Sequence, residues 1–305
     1  MAGRQPTGWR DFNPGESAQK LQQTTLIIQY KNIAAPNFQK KQTSTLRNYT
    51  PPGHLINLRK RHPTTEHTKK ELHMPELKNF VAVDWRSGPD QIYFFFKDTN
   101  TYSRFDIGEN RVPLDYPRPV TSNWGEFNNA RNMRFGFTTT GFDTDRIDGD
   151  ILWLFDYYTY DGSTIPGVRK YDQDSDTLIS YEPLEKTRWK ILAPYFNNIV
   201  AGTWWEQEGR AHLFRFLLND GRALRFDYDY NRLIVETINE KTWPGLARYK
   251  DRIITAAQND RAARDNYLYI FLTNHEYLRY NMDDNELDSG PIKVDDVSWP
   301  GLLRD

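Results

Sequence analysis

The sequence predicts an all-β protein, a four-bladed β-propeller that follows an irregular basic N-terminal extension. The first observation behind this prediction is a short motif of a basic residue, an aromatic residue and Asp or Asn, which occurs four times after residue 90. The second is a tryptophan that follows every copy. The motif copies are Arg104-Phe105-Asp106, Arg169-Lys170-Tyr171-Asp172, Arg225-Phe226-Asp227 and Arg279-Tyr280-Asn281, and the tryptophans are Trp124, Trp189, Trp243 and Trp299.

The spacing and content of the repeats indicate blades of antiparallel strands. The tryptophans lie 65, 54 and 56 residues apart, so a unit of about 50 residues is repeated and its second copy carries an insertion. Each unit holds short runs rich in Phe, Tyr, Ile and Val around turn residues such as Asp220-Gly221. We therefore predict an extension over residues 1–78 and a propeller over 79–305, with blades at about 79–130, 131–197, 198–251 and 252–305.

In its repeats the chain resembles the hemopexin-like family. The resemblance rests on an aromatic second strand, a turn, the Arg-aromatic-Asp third strand and the closing Trp-Pro-Gly-Leu at 243–246 and 299–302. It implies a four-bladed propeller around an axial channel. In character the chain is most similar to cysteine-free microbial and plant members such as photopexins and legume seed albumins. The family has many functions, so the resemblance does not fix the activity.

The absence of cysteine sets the chain apart from the secreted animal members of this family. Those members usually join the first blade to the last by a disulfide, but this sequence has no cysteine. We therefore expect the ring to close by packing and hydrogen bonds, as suits a reducing compartment.

The formal net charge of −1 hides two halves of opposite charge. Residues 1–78 contain 13 Lys and Arg against 5 Asp and Glu, a charge of +8, and the remainder contains 27 against 36, a charge of −9. The extension is too poor in apolar residues to form a domain alone, and its one strand candidate is Thr24 to Tyr30. We expect it to serve as an assembly arm for self-association or a protein partner, or as a delivery signal.

The start of the chain has no apolar core typical of a cleavable signal peptide, and no stretch is apolar enough to span a membrane. We therefore expect cytoplasmic synthesis, with signal-independent export as an open alternative. The sequence contains no specific nucleic-acid-binding motif.

The inner strands of the predicted propeller offer a candidate ion site. Small residues recur in these strands, as a crowded axis requires. As the family resemblance implies an axial channel, we predict a ring of backbone carbonyls that binds Ca²⁺ or Na⁺, contributed by Ala82, Phe135, Ala201 and Thr255. Water alone in a packed channel is the alternative. Asp84 could cap this channel or be a solvated strand end.

Motifs for other metals and for catalysis are weak, and we expect no enzymatic activity. Asp172 to Asp176 copies the start of a calcium-binding EF-hand loop, but Thr177 replaces the required glycine, so we interpret it as an acidic turn. A loose calcium site at Asp143, Asp145, Asp148 and Asp150 is a weaker alternative. His212 and His275, the propeller's two histidines, fall on different blades, which argues against a histidine-centred triad.

Two small ligands suit the composition. Haem would need a ligand such as one of the histidines of the extension, which are His54, His62, His67 and His73. A polyamine at the channel mouth would use the negative charge of the propeller and its Tyr and Trp faces. We expect haem to be the less suited of the two.

Two hypotheses of function follow from these features. In the first, the protein is a non-enzymatic interaction platform, such as an accessory virulence or assembly factor of the toxin-associated photopexin kind. In the second, it is a carrier or sensor of haem or a polyamine. The sequence favours the platform, because it offers a large aromatic scaffold and an oppositely charged arm but no clear ligand residues.

Overall fold

The computed structural model describes residues 77–121, 123–125, 127–143, 149–206, 212–259 and 266–304. All of these belong to the compact unit Lys69–Asp305. Nearly all of the predicted extension, including the strand candidate Thr24 to Tyr30 and the four histidines, lies outside the described residues.

Four antiparallel sheets of four strands each make up the described fold. The first contains β1 (Phe80–Trp85), β2 (Gln91–Phe96), β3 (Thr101–Asp106) and β4 (Arg118–Pro119). The second contains β5 (Met133–Thr140), β6 (Asp150–Tyr160), β7 (Ser163–Asp172) and β8 (Thr177–Pro183). The third contains β9 (Ile199–Trp204), β10 (Leu213–Leu218), β11 (Arg222–Asp227) and β12 (Arg232–Thr237). The fourth contains β13 (Ile253–Gln258), β14 (Tyr267–Leu272), β15 (Glu276–Asn281) and β16 (Glu286–Lys293).

The sheets are arranged as a ring. The inner strands β1, β5, β9 and β13 contact one another in that order, and β13 returns to β1. This confirms the predicted four-bladed propeller. Part of the extra length of the second repeat lies in β6 and β7, which have 11 and 10 residues against six in β2 and β3.

Short 3-10 helices link the strands at Ala130–Asn132, Leu184–Lys186, Arg188–Tyr195 and Ala247–Arg252. Among the described residues, no helix has the length and apolar character needed to cross a membrane.

The final Asp or Asn of the repeated motif caps the turn that follows the third strand of each blade. Its side-chain oxygen accepts a hydrogen bond from a backbone N–H within the turn. For example, Glu109 N donates to Asp106 Oδ1 at 2.9 Å, and Tyr230 N donates to Asp227 Oδ1 at 3.2 Å. Each turn ends on a residue in the left-handed region, where Asn and Asp are favoured. These residues are Asn110, Asp176, Asn231 and Asn285.

The motif aromatic and the tryptophan together join neighbouring blades. Both are buried, and the tryptophan of one blade packs against the motif aromatic of the next. The ring centroids are 6.1 Å apart for Trp124 and Tyr171, 5.9 Å for Trp189 and Phe226, 5.2 Å for Trp243 and Tyr280, and 4.6 Å for Trp299 and Phe105. Such aromatic pairs contribute beyond their buried area.

The last of these contacts closes the ring without a disulfide. Trp299 of the fourth blade lies against Phe105 of the first, and Phe80 lies 5.5 Å from Phe271 across the same junction. Hydrogen bonds add to the packing: Val112 N donates to Pro300 O at 2.9 Å, and Arg304 Nη1 donates to Pro113 O at 2.9 Å. Packing and hydrogen bonds thus close the cysteine-free ring, as the sequence predicts.

Candidate functional site

The axis of the propeller is lined by its inner strands, on which all four predicted ion-ring residues lie. Ala82, Phe135, Ala201 and Thr255 are all buried. The pairing register shows which of them share a level, by which we mean the same position relative to the second and third strands. The motif aromatic Phe226 pairs with Phe214, and Phe214 pairs with Trp204. By the same pairing, Trp204 is level with Asp84, Thr138 and Gln258.

Counting residues back along each inner strand from this level shows that the four predicted ring residues do not share one level. Phe135, Ala201 and Thr255 stand at one level, where the first blade has Val81. Ala82 stands one level further along, together with Gly136, Gly202 and Ala256. The four predicted carbonyls therefore do not form one ring, because the residue predicted in the first blade lies one level away from those predicted in the other three.

The direction of the peptide groups, which alternates along a strand, decides which level faces the axis. Trp205 N and Asn259 N donate to the second-strand carbonyls Leu213 O and Tyr267 O. Residues two or four positions earlier in the same strands, such as Ala201 and Thr255, therefore also direct their N–H and C=O groups toward the second strand of their blade. Ala82 N instead donates to Thr255 Oγ1 of the neighbouring blade at 3.1 Å. We therefore revise the candidate carbonyl ring to Ala82, Gly136, Gly202 and Ala256.

The two glycines of this level are required by the side chains of the preceding blades. A Cβ atom on Gly136 would lie 2.7 Å from Val83 Cγ1, and one on Gly202 would lie 2.8 Å from Phe137 Cδ1. Real Cβ atoms do not approach other atoms so closely, so a larger residue would force the strands apart. Close packing of neighbouring blades thus explains the small residues at the axis.

A buried ion pair lies at the end of β1, near one end of the propeller axis. Arg86 Nε donates to Asp84 Oδ2 at 3.1 Å, and both side chains are almost fully buried. Asp84 Oδ1 accepts Thr138 N at 3.1 Å from the second blade. Burial raises the pKa of Asp84, and the Arg86 charge opposes that shift. Asp84 is therefore a buried, paired group rather than a solvated strand end.

Arg86 also reaches toward the third blade. Its guanidinium lies 5.7 Å from the ring centroid of Trp204, and its Nη2 atom has no hydrogen-bond partner among the described residues. Gln173 Oε1 accepts Arg86 N at 2.8 Å, and Gln173 Nε2 donates to Thr138 Oγ1 at 2.8 Å. Side chains from three blades therefore meet near this end of the axis.

A second buried polar chain joins the third blade to the fourth. Thr203 Oγ1 donates to Gln258 Oε1 at 2.8 Å, and Gln258 Nε2 donates to Asn266 Oδ1 at 2.8 Å. Asn266 Nδ2 continues to Asp283 Oδ1 at 2.8 Å. Because buried polar groups are costly without partners, the bond between Thr203 and Gln258 helps to fix the relative position of the two blades, and the other two bonds hold Gln258 in place.

The other candidate metal residues are not assembled into a site in the described part of the chain. Asp172 to Asp176 forms the turn between β7 and β8, as interpreted from the sequence, with Asp172 Oδ1 accepting Asp174 N at 3.0 Å. Asp143 pairs with Lys170 at 2.9 Å, while Asp145 and Asp148 lie outside the described residues. No group of three or more His, Cys, Asp or Glu residues that could hold a metal ion occurs among the described residues.

The two propeller histidines lie on different blades. His212 precedes β10 and its Nδ1 lies 2.7 Å from Asp229 Oδ1 at the surface. His275 occupies the turn between β14 and β15 with a positive φ of 56°.

We expect an ion bound by the revised carbonyl ring to stabilise the folded protein. Because it would bind the folded state alone, the gain is about 2.7 kcal/mol when its concentration is 100 times its dissociation constant. The melting temperature should be compared in chelator and in millimolar Ca²⁺, and in Na⁺ and a bulky organic cation. Superimposable melting curves in all four conditions would contradict an axial cation.

The fold is similar to known structures. No protein-family model and no curated protein sequence matches the chain. Among solved structures, a 2S albumin seed protein from Dolichos is 14% identical, with a TM-score of 0.54 over 74% of this chain and 98% of that one. The Dos1 propeller is 8% identical, with a TM-score of 0.25 over 68% of this chain and 44% of that one. The first similarity supports the four-bladed propeller fold and nothing beyond it.

Proposed function

We propose that this protein is a non-enzymatic binding protein whose propeller is a platform for extended protein segments. The observation that supports this most is the nature of the outer strands β8, β12 and β16. Each is the last strand of its sheet, and none pairs with a further strand among the described residues. Each also exposes a β-branched apolar residue: Ile179 is 51% exposed, Val235 44% and Ile292 37%.

An outer strand of this kind is suited to binding another strand. Its unpaired N–H and C=O groups can accept an extended peptide, and its exposed apolar side chains offer contacts for alternate residues of that peptide. The buried charged groups, in contrast, have partners typical of structural ion pairs. Asp84 pairs with Arg86, and Asp156 Oδ2 accepts Arg169 Nε at 2.9 Å. The outer edges are therefore better suited to function than the blade interiors.

The N-terminal extension is our first candidate for the bound segment, in the same chain or in another copy. Its charge of +8 is opposite to the −9 of residues 79–305, which favours association. Its strand candidate Thr24 to Tyr30 contains the apolar run Leu26 to Ile28 and could pair with such an edge as an added strand.

Membership of the hemopexin-like repeat family is part of the same proposal. It is supported by the four motif copies, the Trp-Pro-Gly-Leu closures and the similarity in fold to the 2S albumin seed protein. Within that family, a platform with a separable arm suits an accessory virulence or assembly factor.

We expect a truncated chain starting at Leu77 to fold but to associate differently from the full chain. Removing the arm leaves the outer edges uncovered, so light scattering should give a changed molar mass or salt-dependent self-association. Circular dichroism on the same sample is the control for folding. An unchanged mass and solubility from low to high salt would mean that the arm does not cover the propeller.

A polycationic ligand is a second candidate, favoured by the charge of one face. The four turns that follow the third strands lie at the same end of the propeller as Asp84, and they contain nine acidic residues and no lysine or arginine. The acidic residues are Asp106, Glu109, Asp172, Asp174, Asp176, Asp227, Asp229, Asp283 and Asp284. Such a ring attracts a polyamine. A rise in melting temperature with spermine, but not with equal ionic strength of NaCl, would support this alternative.

A further inference from the structure

The basic residue of the repeated motif occupies the same position on the third strand of each blade, but its surroundings differ in the first blade. In the other three blades an acidic side chain neutralises it. Lys170 pairs with Asp143 at 2.9 Å, Arg225 with Glu236 at 3.3 Å, and Arg279 with Asp288 at 2.7 Å. The fourth member, Arg104, has no such acidic partner among the described residues.

The outer strand of the first blade carries a charge of the opposite sign. The third-strand residue that lies two positions before the motif's basic residue pairs with Glu182 in the second blade and with Glu236 in the third. At the same position of the first blade, Tyr102 pairs with Arg118. The first blade thus places a second arginine where the second and third blades place a glutamate.

The two arginines and a group of tyrosines form one cluster. The ring of Tyr116 lies close to both guanidinium groups, its centroid 5.5 Å from Arg104 Cζ and 4.7 Å from Arg118 Cζ. The rings of Tyr93 and Tyr102 stack at 6.0 Å on the same blade. Arg104 Nε is buried and has no hydrogen-bond partner among the described residues.

The Tyr93 and Tyr102 hydroxyls of the cluster stay protonated at neutral pH, so each keeps an O–H donor while its oxygen accepts from an arginine. Burial raises the pKa of Tyr93 to about 12, and burial also raises the pKa of Tyr102. The carboxylate beside the cluster in the described residues is Asp115, which is exposed and ion-paired with Arg118. The cluster therefore keeps a net positive charge and offers more donors than acceptors.

We propose that this cluster binds a tetrahedral oxyanion, a phosphate or sulfate group. Guanidinium groups bind such anions through paired charge-assisted hydrogen bonds, and an unpartnered buried Nε is costly until an acceptor reaches it. The two guanidinium groups lie close to the same ring, that of Tyr116, so both are within reach of one anion, and the protonated phenols supply neutral donors. The inference does not depend on the platform function, because an anion can bind here whatever occupies the outer edges.

The charge difference between the blades supplies the test. Arg118→Glu gives the first blade the acidic residue of the second and third, and the side chain is partly exposed, so the fold should be retained. Arg111→Glu is the matched control: it makes the same change of charge at an exposed arginine of the same blade that pairs with Glu109. Asp115→Asn removes the competing carboxylate.

Isothermal titration calorimetry with inorganic phosphate at low ionic strength measures the affinity of each variant. We expect Arg118→Glu to weaken phosphate binding by about tenfold or more, which corresponds to the loss of one charged hydrogen bond. Arg111→Glu should have little effect, and Asp115→Asn should tighten binding. Equal losses in the two glutamate variants, or no binding of phosphate beyond that of chloride, would overturn the proposal.

A second titration distinguishes the source of the anion. O-phosphotyrosine presents the same group as an ester, and its ring could pack on the aromatic residues of the blade. Tighter binding of the ester than of inorganic phosphate would point to a phosphorylated or sulfated partner, and the reverse order to the free anion. Both results keep the site, and loss of the site would leave binding at the outer edges unaffected.

Discussion

Replacing Trp299 by alanine is expected to lower the free energy of unfolding by about 3–5 kcal/mol, as is typical for a large aromatic residue removed from a core. Trp299 is buried and closes the ring: its ring centroid lies 4.6 Å from Phe105 and 5.5 Å from Phe94 of the first blade, and 5.3 Å from Phe271 of the fourth. Trp243→Ala should give a similar loss, because Trp243 is buried between Trp205 and Tyr280.

Urea denaturation of the two variants measures these losses. Tyr230→Ala is a suitable control, since Tyr230 is an aromatic residue that is 82% exposed and its loss should change stability little. If both tryptophan variants unfolded at the same urea concentration as the Tyr230 variant, the tryptophans would not anchor the blades.

The second large effect is expected at the buried ion pair. Arg86→Met leaves the Asp84 carboxylate buried without its partner, which should cost about 3–5 kcal/mol. Combining it with Asp84→Asn removes the uncompensated charge and should restore part of the loss. Arg111→Met breaks an exposed pair with Glu109 and should cost about 1 kcal/mol or less.

Denaturation of the parent, Arg86→Met, Asp84→Asn and the double variant forms a double-mutant cycle for Asp84 and Arg86. Equal losses for Arg86→Met and Arg111→Met would contradict a buried pair near this end of the axis. So would strict additivity of the Asp84 and Arg86 substitutions.

The architecture was predictable because each blade repeats the same local rules. The motif Asp or Asn is needed to cap a turn, the motif aromatic to contact the preceding tryptophan, and the small residues to let the inner strands converge. These are short-range or repeated requirements, so four copies make them visible in the sequence. Closure of the ring without cysteine followed from the same repeats.

The register at the axis could not be predicted in the same way. The inner strands β5, β9 and β13 each contain a register shift near their start, after Met133, Ile199 and Ile253, whereas β1 pairs with β2 without one. A residue count from the strand starts therefore displaces the first blade by one position and places Ala82 beside Phe135. Four small residues at one level, Ala82, Gly136, Gly202 and Ala256, were the signal that could have corrected it.

The side-chain clusters were also hidden in the sequence. Arg86 follows its strand like any surface arginine, and only the fold shows that it is buried against Asp84 and directed toward the third blade. The reversal of charge at Arg118 depends on pairing with Tyr102 through a strand of two residues, too short to be recognised from its composition.

The most direct test of the platform function is binding of the strand candidate to the propeller alone. A synthetic peptide containing Thr24 to Tyr30 should be titrated onto the truncated chain starting at Leu77, with hydrogen–deuterium exchange as the readout. The same peptide with Ile27→Pro is the control, because proline removes a backbone donor needed for strand pairing. We predict that the peptide slows exchange in one or more of β8, β12 and β16 and that the proline peptide does not. Protection confined to other strands, equal protection by both peptides, or no protection at all would contradict the platform function.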